Sequence, residues 1–229
     1  MSKQHFLYTK SNLAVLLVIA LSITAFIGWK LSNDPVVKAP AEIEDYLFWQ
    51  AKELTDFKLV GANDKTLSLN DLKGKWSFVF FGYTHCPDVC PLTMAILGQT
   101  FNILEKTPAI FPEIQGIFIS VDPKRDTPES LKEYVSYFND RFIGVTGSIT
   151  ELDSFSRQMS ALYTIHANEA DQSADTYTVT HNSTVFLVDP QGRLYGRFPP
   201  PQNPQEIAGV FLKIHTFYNE RSNKKWGLF

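Results

Sequence analysis

The order of apolar and polar positions divides the chain into an N-terminal apolar run and a longer mixed region. No residue from 11 to 29 is charged, and Lys10 and Lys30 bracket this run. As a helix it would be about 28 Å long at ~1.5 Å per residue, close to the ~30 Å of a membrane's hydrocarbon core. The pattern therefore predicts a transmembrane anchor over residues 11–30, after a short N-terminus of residues 1–10.

A cleaved signal peptide is the alternative interpretation of the same run. Signal peptides have a shorter apolar core and end in small residues, whereas this run ends in Phe-Ile-Gly-Trp-Lys, which favours an uncleaved anchor. Lys3 and Lys10 precede the run and acidic residues follow it, so the positive-inside rule places residues 1–10 in the cytoplasm and residues 31–229 outside. With no Arg-rich presequence, we expect a bacterial inner membrane protein with a periplasmic domain, rather than one facing the mitochondrial intermembrane space.

Beyond the anchor, the periodicity predicts one α/β domain. Residues 31–45 are typical of a tether, residues 46–219 form the domain, and residues 220–229 form a C-terminal tail. Residues 76–81 are almost all apolar, as in a strand buried on both faces. Hairpin strands are predicted at 57–60 and 66–69, further strands at 115–121, 177–179, 184–188 and 194–198, and helices after Cys90, Thr127, Ser148 and Asn203. This order predicts a thioredoxin-like fold, with a mixed central sheet flanked by helices and an N-terminal hairpin.

Composition narrows the possible functions. Hydrophobic residues make up 44% of the chain and aromatic residues 14%, which is enough for a well-filled core. The formal net charge is −3 and there is no basic cluster, so nothing favours nucleic-acid binding. The chain has two cysteines, which excludes a scaffold of several disulfides and leaves one redox pair or one metal site.

The two cysteines, Cys86 and Cys90, lie where the buried strand is predicted to turn into a helix. The N-terminus of a helix favours negative charge, so we expect both thiols to ionise more readily than a free cysteine. Cysteines at positions i and i+4 around a helix start can face the same point in space. This spacing suits a bridging metal at least as well as a disulfide.

A metal at this point would need a third ligand, and His181 is the best candidate. His181 lies between the late strands, in a loop that a thioredoxin-like fold places across from the strand-to-helix turn. Two thiolates and one imidazole are incomplete for a structural zinc site but suit Cu(I) and Cu(II). A thiol–disulfide switch, or a structural disulfide, remains an alternative at this stage.

Three sequence blocks resemble those of the SCO/SenC family of copper proteins. They are Phe-Gly-Tyr-Thr-His-Cys-Pro-Asp-Val-Cys-Pro at 81–91, Ile-Ser-Val-Asp-Pro-Lys-Arg-Asp-Thr-Pro at 119–128, and residues 181–192. The resemblance extends over about residues 50–215. It implies a thioredoxin-like fold, Cu(I) and Cu(II) held by Cys86, Cys90 and His181, and assembly of the copper A centre of cytochrome c oxidase. An aspartate often precedes the histidine in this family, whereas Thr180 stands there in this chain.

The resemblance also implies the partners. They are cytochrome c oxidase subunit II, with its copper A site, an upstream copper donor and a thiol reductant. Asp122 and Asp88 are candidates for supporting the ligands without binding the metal.

Two function hypotheses therefore stand side by side. The first is a membrane-anchored copper chaperone rather than an enzyme. The second is a thiol–disulfide oxidoreductase that reduces the copper-site cysteines of the oxidase through Cys86 and Cys90. A peroxidase of the peroxiredoxin type is a weaker third hypothesis, because the chain has no separately placed resolving cysteine.

Overall fold

The chain forms two compact units in a computed structural model, residues 1–38 and residues 39–229. The backbone is described for residues 4–32, 38–161, 163–166, 178–181 and 183–226, and side chains for residues 13–26, 28–29, 38–161, 163–164 and 183–221. In the first unit, helix α1 extends over Gln4–Ser32. Among the described residues of the chain, no helix is long and apolar enough to cross a membrane.

The second unit is built on a mixed eight-stranded sheet. Its strands are β1 (Leu47–Glu53), β2 (Leu59–Gly61), β3 (Thr66–Leu67), β4 (Trp76–Gly82), β5 (Ile114–Ser120), β6 (Phe142–Thr146), β9 (Val185–Val188) and β10 (Arg193–Phe198). Two further strands, β7 (Tyr163–His166) and β8 (Thr178–His181), form a separate antiparallel pair. The order in the large sheet is β1-β10-β9-β4-β5-β6-β2-β3.

Strand β4 is the central strand of this sheet. It pairs in parallel with β5 over its full length and antiparallel with β9 on its other side. Every residue of β4 is buried, which confirms the prediction of a strand covered on both faces. Since β4, β5 and β6 run in parallel, their carboxyl ends meet at one edge of the sheet.

Six α-helices lie within the described residues of this unit. They are α2 (Ala41–Glu44), α3 (Leu69–Leu72), α4 (Val89–Leu104), α5 (Pro128–Ser136), α6 (Ile149–Gln158) and α7 (Pro204–Trp226). The predicted caps are observed at two starts: the hydroxyl of Thr127 accepts the Ser130 N–H, and that of Ser148 accepts the Glu151 N–H.

Aromatic side chains join the helices to both faces of β4. On one face, the ring of Phe78 lies 5.5 Å from Phe101 in α4 and 5.0 Å from Phe211 in α7, measured between centroids. On the other face, Phe81 lies 6.0 Å from Phe155 in α6. Adjacent residues of a strand point to opposite faces, so the unit has three layers with helices on both sides of the sheet.

Several boundaries differ from those expected from the sequence. The hairpin of β2 and β3 is present but shorter than predicted, and β1, which was not predicted, pairs with β10 at the sheet edge. The compact unit begins at Ala39, and Ile43, in the expected tether, is fully buried. Helix α7 continues to Trp226, through most of the expected tail.

We expect Thr127→Ala to lower the free energy of unfolding by about 1 kcal/mol, because a first-turn N–H of α5 loses its acceptor. Thr127→Ser keeps the hydroxyl and is the matched control. Urea denaturation of the three proteins measures the difference. Equal midpoints for the alanine variant and the wild type would contradict the capping role.

Candidate metal centre

Both cysteines lie at the carboxyl end of β4, as the sequence predicted. The strand ends at Gly82, a short turn follows, and α4 begins at Val89. Cys86 is half-buried in the turn, while Cys90, the second residue of the helix, is fully buried. Both are thiols, with no disulfide between them.

The sulfur of Cys86 lies at the N-terminus of α4. Its Sγ accepts the backbone N–H of Cys90 at 3.4 Å, and N–H groups of a first helical turn have no partner inside the helix. Asp88 occupies the N-cap position, but its side chain is exposed and makes no capping hydrogen bond. The sulfur therefore takes the place of a capping oxygen, where negative charge is favoured.

The expectation that both thiols ionise readily is wrong for Cys90. Burial raises the pKa of the Cys90 thiol, and this outweighs the lowering of its pKa by a hydrogen bond with the Tyr83 backbone. The cause is desolvation, because a thiolate in an apolar interior loses its hydration. A soft metal cation would supply the missing positive charge and replace the proton.

Gly82 allows the Cys90 sulfur to approach the end of β4. A Cβ atom at this position would lie 2.8 Å from the Sγ of Cys90 and 2.8 Å from the Cε2 of Phe118. Real Cβ atoms do not come this close to other heavy atoms, so any side chain at residue 82 would displace the sulfur or the ring. The missing side chain at residue 82 thus leaves room for the sulfur against the sheet.

A buried carboxylate, that of Asp126, holds the turn that carries Cys86. Asp126 is fully buried and accepts the backbone N–H of Thr84 at 2.9 Å, together with the hydroxyls of Thr84 and Ser120. The Nδ1 atom of His85 lies 3.6 Å from the same carboxylate and 3.1 Å from the Thr84 hydroxyl. Asp126 therefore ties the end of β5 to the cysteine turn.

Sequence reasoning did not single out Asp126. The residue lies in the block at 119–128, seven residues after Ile119, the last apolar residue of β5, and its neighbour Thr127 is predicted as a helix cap. A buried acid directly before a helix cap has no signature of its own in a single sequence. Its role follows from the two strand ends that it joins.

The two acids that the sequence predicted to support the ligands, Asp122 and Asp88, lie in different surroundings. Asp122 is buried and forms an ion pair with Arg125, whose guanidinium lies 5.6 Å from the ring centroid of Tyr83. Asp122 is thus connected to the cysteine turn indirectly, by its ion pair with Arg125 and the packing of Arg125 on the Tyr83 ring. The exposed Asp88 lies between the cysteines at the helix start, where its side chain makes no capping hydrogen bond.

His181 is the last residue of β8, where its backbone is paired with Tyr163 of β7. The Tyr163 hydroxyl donates to Asp153 in α6, which connects this pair of strands to the second unit's helices. The side chain of His181 lies outside the described side chains. Among those described, no group of three or more His, Cys, Asp or Glu residues is arranged to hold a metal ion.

The described geometry therefore provides two sulfurs at the start of α4, one half-buried and one buried, and the half-buried sulfur is bonded to the backbone N–H of Cys90. Two soft ligands on one side suit Cu(I), which also accepts a nitrogen ligand from a third direction. The same two thiols can lose two electrons and form a disulfide. Both chemistries are open to this pair.

Comparison with known proteins gives a consistent picture. A protein-family model described as SCO1/SenC matches residues 49–215. An SCO2-like protein of Rickettsia felis is 34% identical over 158 residues, which cover 69% of this chain and 74% of that protein. The copper-bound structure of Bradyrhizobium japonicum ScoI is 32% identical, with a TM-score of 0.60 over 69% of this chain and 96% of that one.

A third similar protein is BsSco, a member of the Sco family of cytochrome c oxidase assembly proteins in which a disulfide switch has been identified. It is 25% identical, with a TM-score of 0.56 over 75% of this chain and 96% of that one. These structural matches confirm the mixed α/β, thioredoxin-like fold that the sequence predicted.

We expect Asp126→Asn to lower the free energy of unfolding by about 1–3 kcal/mol, because the amide nitrogen cannot accept the hydrogen bonds that one carboxylate oxygen receives. Asp88→Asn is the matched control, since Asp88 is exposed and should leave stability unchanged. Urea denaturation measures both. A loss shared equally by the two variants would show that the buried contacts of Asp126 are unimportant.

The two thiols should also differ in reactivity. In the metal-free protein we expect Cys86 to react with iodoacetamide at least about tenfold faster than Cys90, because Cys90 is buried and burial raises the pKa of its thiol. Mass spectrometry of Cys86→Ser and Cys90→Ser at neutral pH gives the two rates separately. Equal rates, in variants that circular dichroism shows to be folded, would contradict the assignment.

Proposed function

Since the chain belongs to the SCO1/SenC family, we propose that it is a copper chaperone that binds Cu(I) and Cu(II) and serves the assembly of cytochrome c oxidase. The observation that carries this proposal is the pair of sulfurs at the start of α4. Gly82 leaves room for the Cys90 sulfur, and the Cys86 Sγ accepts a backbone N–H of the helix N-terminus. Copper is the bound ion in the Bradyrhizobium japonicum relative, and the two cysteine sulfurs of this chain are soft ligands that suit copper.

The proposed ligands are Cys86, Cys90 and His181. The two sulfurs supply soft donors and offset the charge of the ion, and an imidazole nitrogen completes a three-coordinate Cu(I) site. His181 is proposed as this third ligand because it ends β8, which is joined to the rest of the unit through Tyr163 and Asp153. Asp126 is proposed to act by fixing the turn that carries Cys86.

Delivery of copper follows from the unequal exposure of the two sulfurs. Cys86 is half-buried and Cys90 is fully buried, so an incoming thiolate of the acceptor reaches the metal from the side of Cys86. One acceptor thiolate would bind as Cys86 leaves, a second would bind as His181 leaves, and Cys90 would leave last. The proposed acceptor is the copper A site of subunit II, with an upstream copper donor and a thiol reductant as further partners.

The same asymmetry supports a second function, thiol–disulfide exchange with the cysteines of the oxidase. The thiolate of Cys86 attacks a target disulfide and releases one target thiolate, and Cys90 then loses its proton and displaces the second. Two electrons pass to the target, and a Cys86–Cys90 disulfide remains for an external thiol to reduce. The disulfide switch of BsSco is a precedent in a similar protein.

The location remains part of the proposal. The uncharged run at residues 11–29 between Lys10 and Lys30 supports a single-pass anchor, with residues 31–229 in the bacterial periplasm. A periplasm is oxidising, which explains why a thiol reductant is needed before copper can bind.

The first test is a titration of the reduced full chain with Cu(I) against a competing chelator. We expect one copper per chain, and we expect His181→Ala to weaken binding by about 100-fold, since loss of a ligand costs at least as much as loss of an outer partner. His215→Ala is the matched control, because His215 packs 6.4 Å from Trp76, at the opposite end of β4 from Gly82. Equal, weak binding of Cu(I) by the wild type and both variants would contradict the proposal that the protein is a copper chaperone.

A second measurement separates the two functions. The rate at which the reduced chain reduces a disulfide peptide should be nearly the same in wild type and His181→Ala, since that reaction requires only the two thiols. A His181→Ala protein that keeps both copper affinity and exchange rate would leave thiol–disulfide exchange as the function. Loss of copper affinity alone supports the chaperone.

A further inference from the structure

A cavity of about 290 Å³ lies at the edge of the sheet opposite to the cysteines, close to the ~300 Å³ at which small-molecule sites begin. Among the residues that line it, Lys75 directly precedes β4, Gln115 is the second residue of β5 and Phe142 is the first of β6. Strand β4 has seven residues, so its carboxyl end, where the cysteine turn begins, lies about 20 Å away. The cavity is therefore separate from the metal centre.

The cavity forms where the hairpin of β2 and β3 moves away from β6. Strand β2 pairs with the outer edge of β6 only at Val145 and Thr146. The chain then turns at Asn63 and Asp64, whose φ angles of 58° and 55° are in the left-handed region that Asn and Asp tolerate better than most residues. Among the described strands, none pairs with residues 142–144 on this edge, and these residues line the cavity.

The interior of the cavity is apolar and held in place. Leu67, Phe142 and Val145 line it and are buried in the core of the unit. The amide of Gln115 also lines it and donates hydrogen bonds to the Ser77 hydroxyl at 2.8 Å and to a backbone carbonyl of α3 at 3.1 Å. Such a preformed apolar surface with a few polar groups is typical of small-molecule sites.

The charged residues of the lining are mainly basic. Lys65, Lys75 and Lys132 are exposed, and none of them forms an ion pair with an acid whose side chain the structure describes. Asp71 is the acid of the lining, and its carboxylate accepts the hydroxyl and the backbone N–H of Ser68. These bonds lower the pKa of Asp71, so it is ionised at neutral pH. Three positive charges and one negative charge leave a net charge of +2.

We propose that this cavity binds a small phosphate monoester that has an aromatic or other apolar body. A phosphate monoester carries close to two negative charges at neutral pH, which matches the net charge of the lining. Lysine binds phosphate as a point charge, whereas arginine favours carboxylates through paired donors, and none of the described lining residues is an arginine. The inference does not depend on copper, because the cavity shares no residue with the proposed ligands.

The test titrates the metal-free full chain with phenyl phosphate by isothermal titration calorimetry, with inorganic phosphate and phenol as the two halves of the same probe. We expect one phenyl phosphate per chain, bound at least about tenfold more tightly than either half, because burial of the ring adds to the attraction of the charge. Phenylacetate has the same ring but a single negative charge, and we expect it to bind several-fold more weakly than phenyl phosphate.

Variants locate the binding site. Lys65→Gln and Lys132→Gln together should weaken phenyl phosphate binding about tenfold, since each charge contributes modestly at an exposed position. Lys58→Gln and Lys106→Gln together are the matched control, because both lysines are exposed, neither lines the cavity and the net charge changes equally. Ala62→Leu keeps the three lysines but fills part of the cavity, so its affinity for phenyl phosphate should fall to that for inorganic phosphate.

The proposal is overturned if the wild type binds no phenyl phosphate at millimolar concentration. It is also overturned if the wild type binds phenyl phosphate no more tightly than inorganic phosphate, since that result indicates only a positively charged surface. Equal binding by the two double variants, or wild-type affinity in a folded Ala62→Leu protein, would show that the ligand binds elsewhere. Equal binding of phenylacetate would overturn the assignment to a phosphate. If Ala62→Leu does not fold, the double variants decide alone.

Discussion

The arrangement of the site depends on one buried carboxylate. Asp126 accepts hydrogen bonds from the backbone and hydroxyl of Thr84 and from the hydroxyl of Ser120, and it is completely removed from solvent. A charge buried in this way is tolerated only where donors satisfy it. The donors come from the end of β5 and from the turn after β4, so the carboxylate holds these two ends of the parallel strands together. This contact holds the turn that carries Cys86.

Two opposing effects then act on the cysteines. The N-terminus of α4 favours negative charge and lies against the Cys86 sulfur, while the apolar interior disfavours it at Cys90. The result is a pair with one accessible sulfur and one protected sulfur. Such a pair would suit the proposed chaperone, because exchange of a soft cation would begin at the half-buried ligand while the buried ligand kept the ion bound. The helix packing that buries Cys90 thus contributes to the difference in reactivity between the two thiols.

Much of this could be predicted from the sequence because it depends on local patterns. The apolar run of β4, the caps at Thr127 and Ser148, and the two cysteines at a strand-to-helix turn each have a short sequence signature. Strand β1 was missed because its sequence mixes polar and apolar residues. Its position in the sheet depends on pairing with β10 at the edge, which the sequence alone does not reveal. Asp126 was missed for the same kind of reason, since its role arises between elements distant in sequence. The Cys90 pKa was misjudged because helix position is readable from sequence and depth of burial is not.

The most direct test of the account is X-ray absorption at the copper edge of the Cu(I)-loaded chain, with Cys86→Ser and Cys90→Ser beside it. The account predicts two sulfur scatterers and one nitrogen scatterer per copper in the wild type, and one sulfur fewer in each variant. A wild-type spectrum with a single sulfur, or one unchanged by substitution of the buried Cys90, would show that the two cysteines do not hold the ion together.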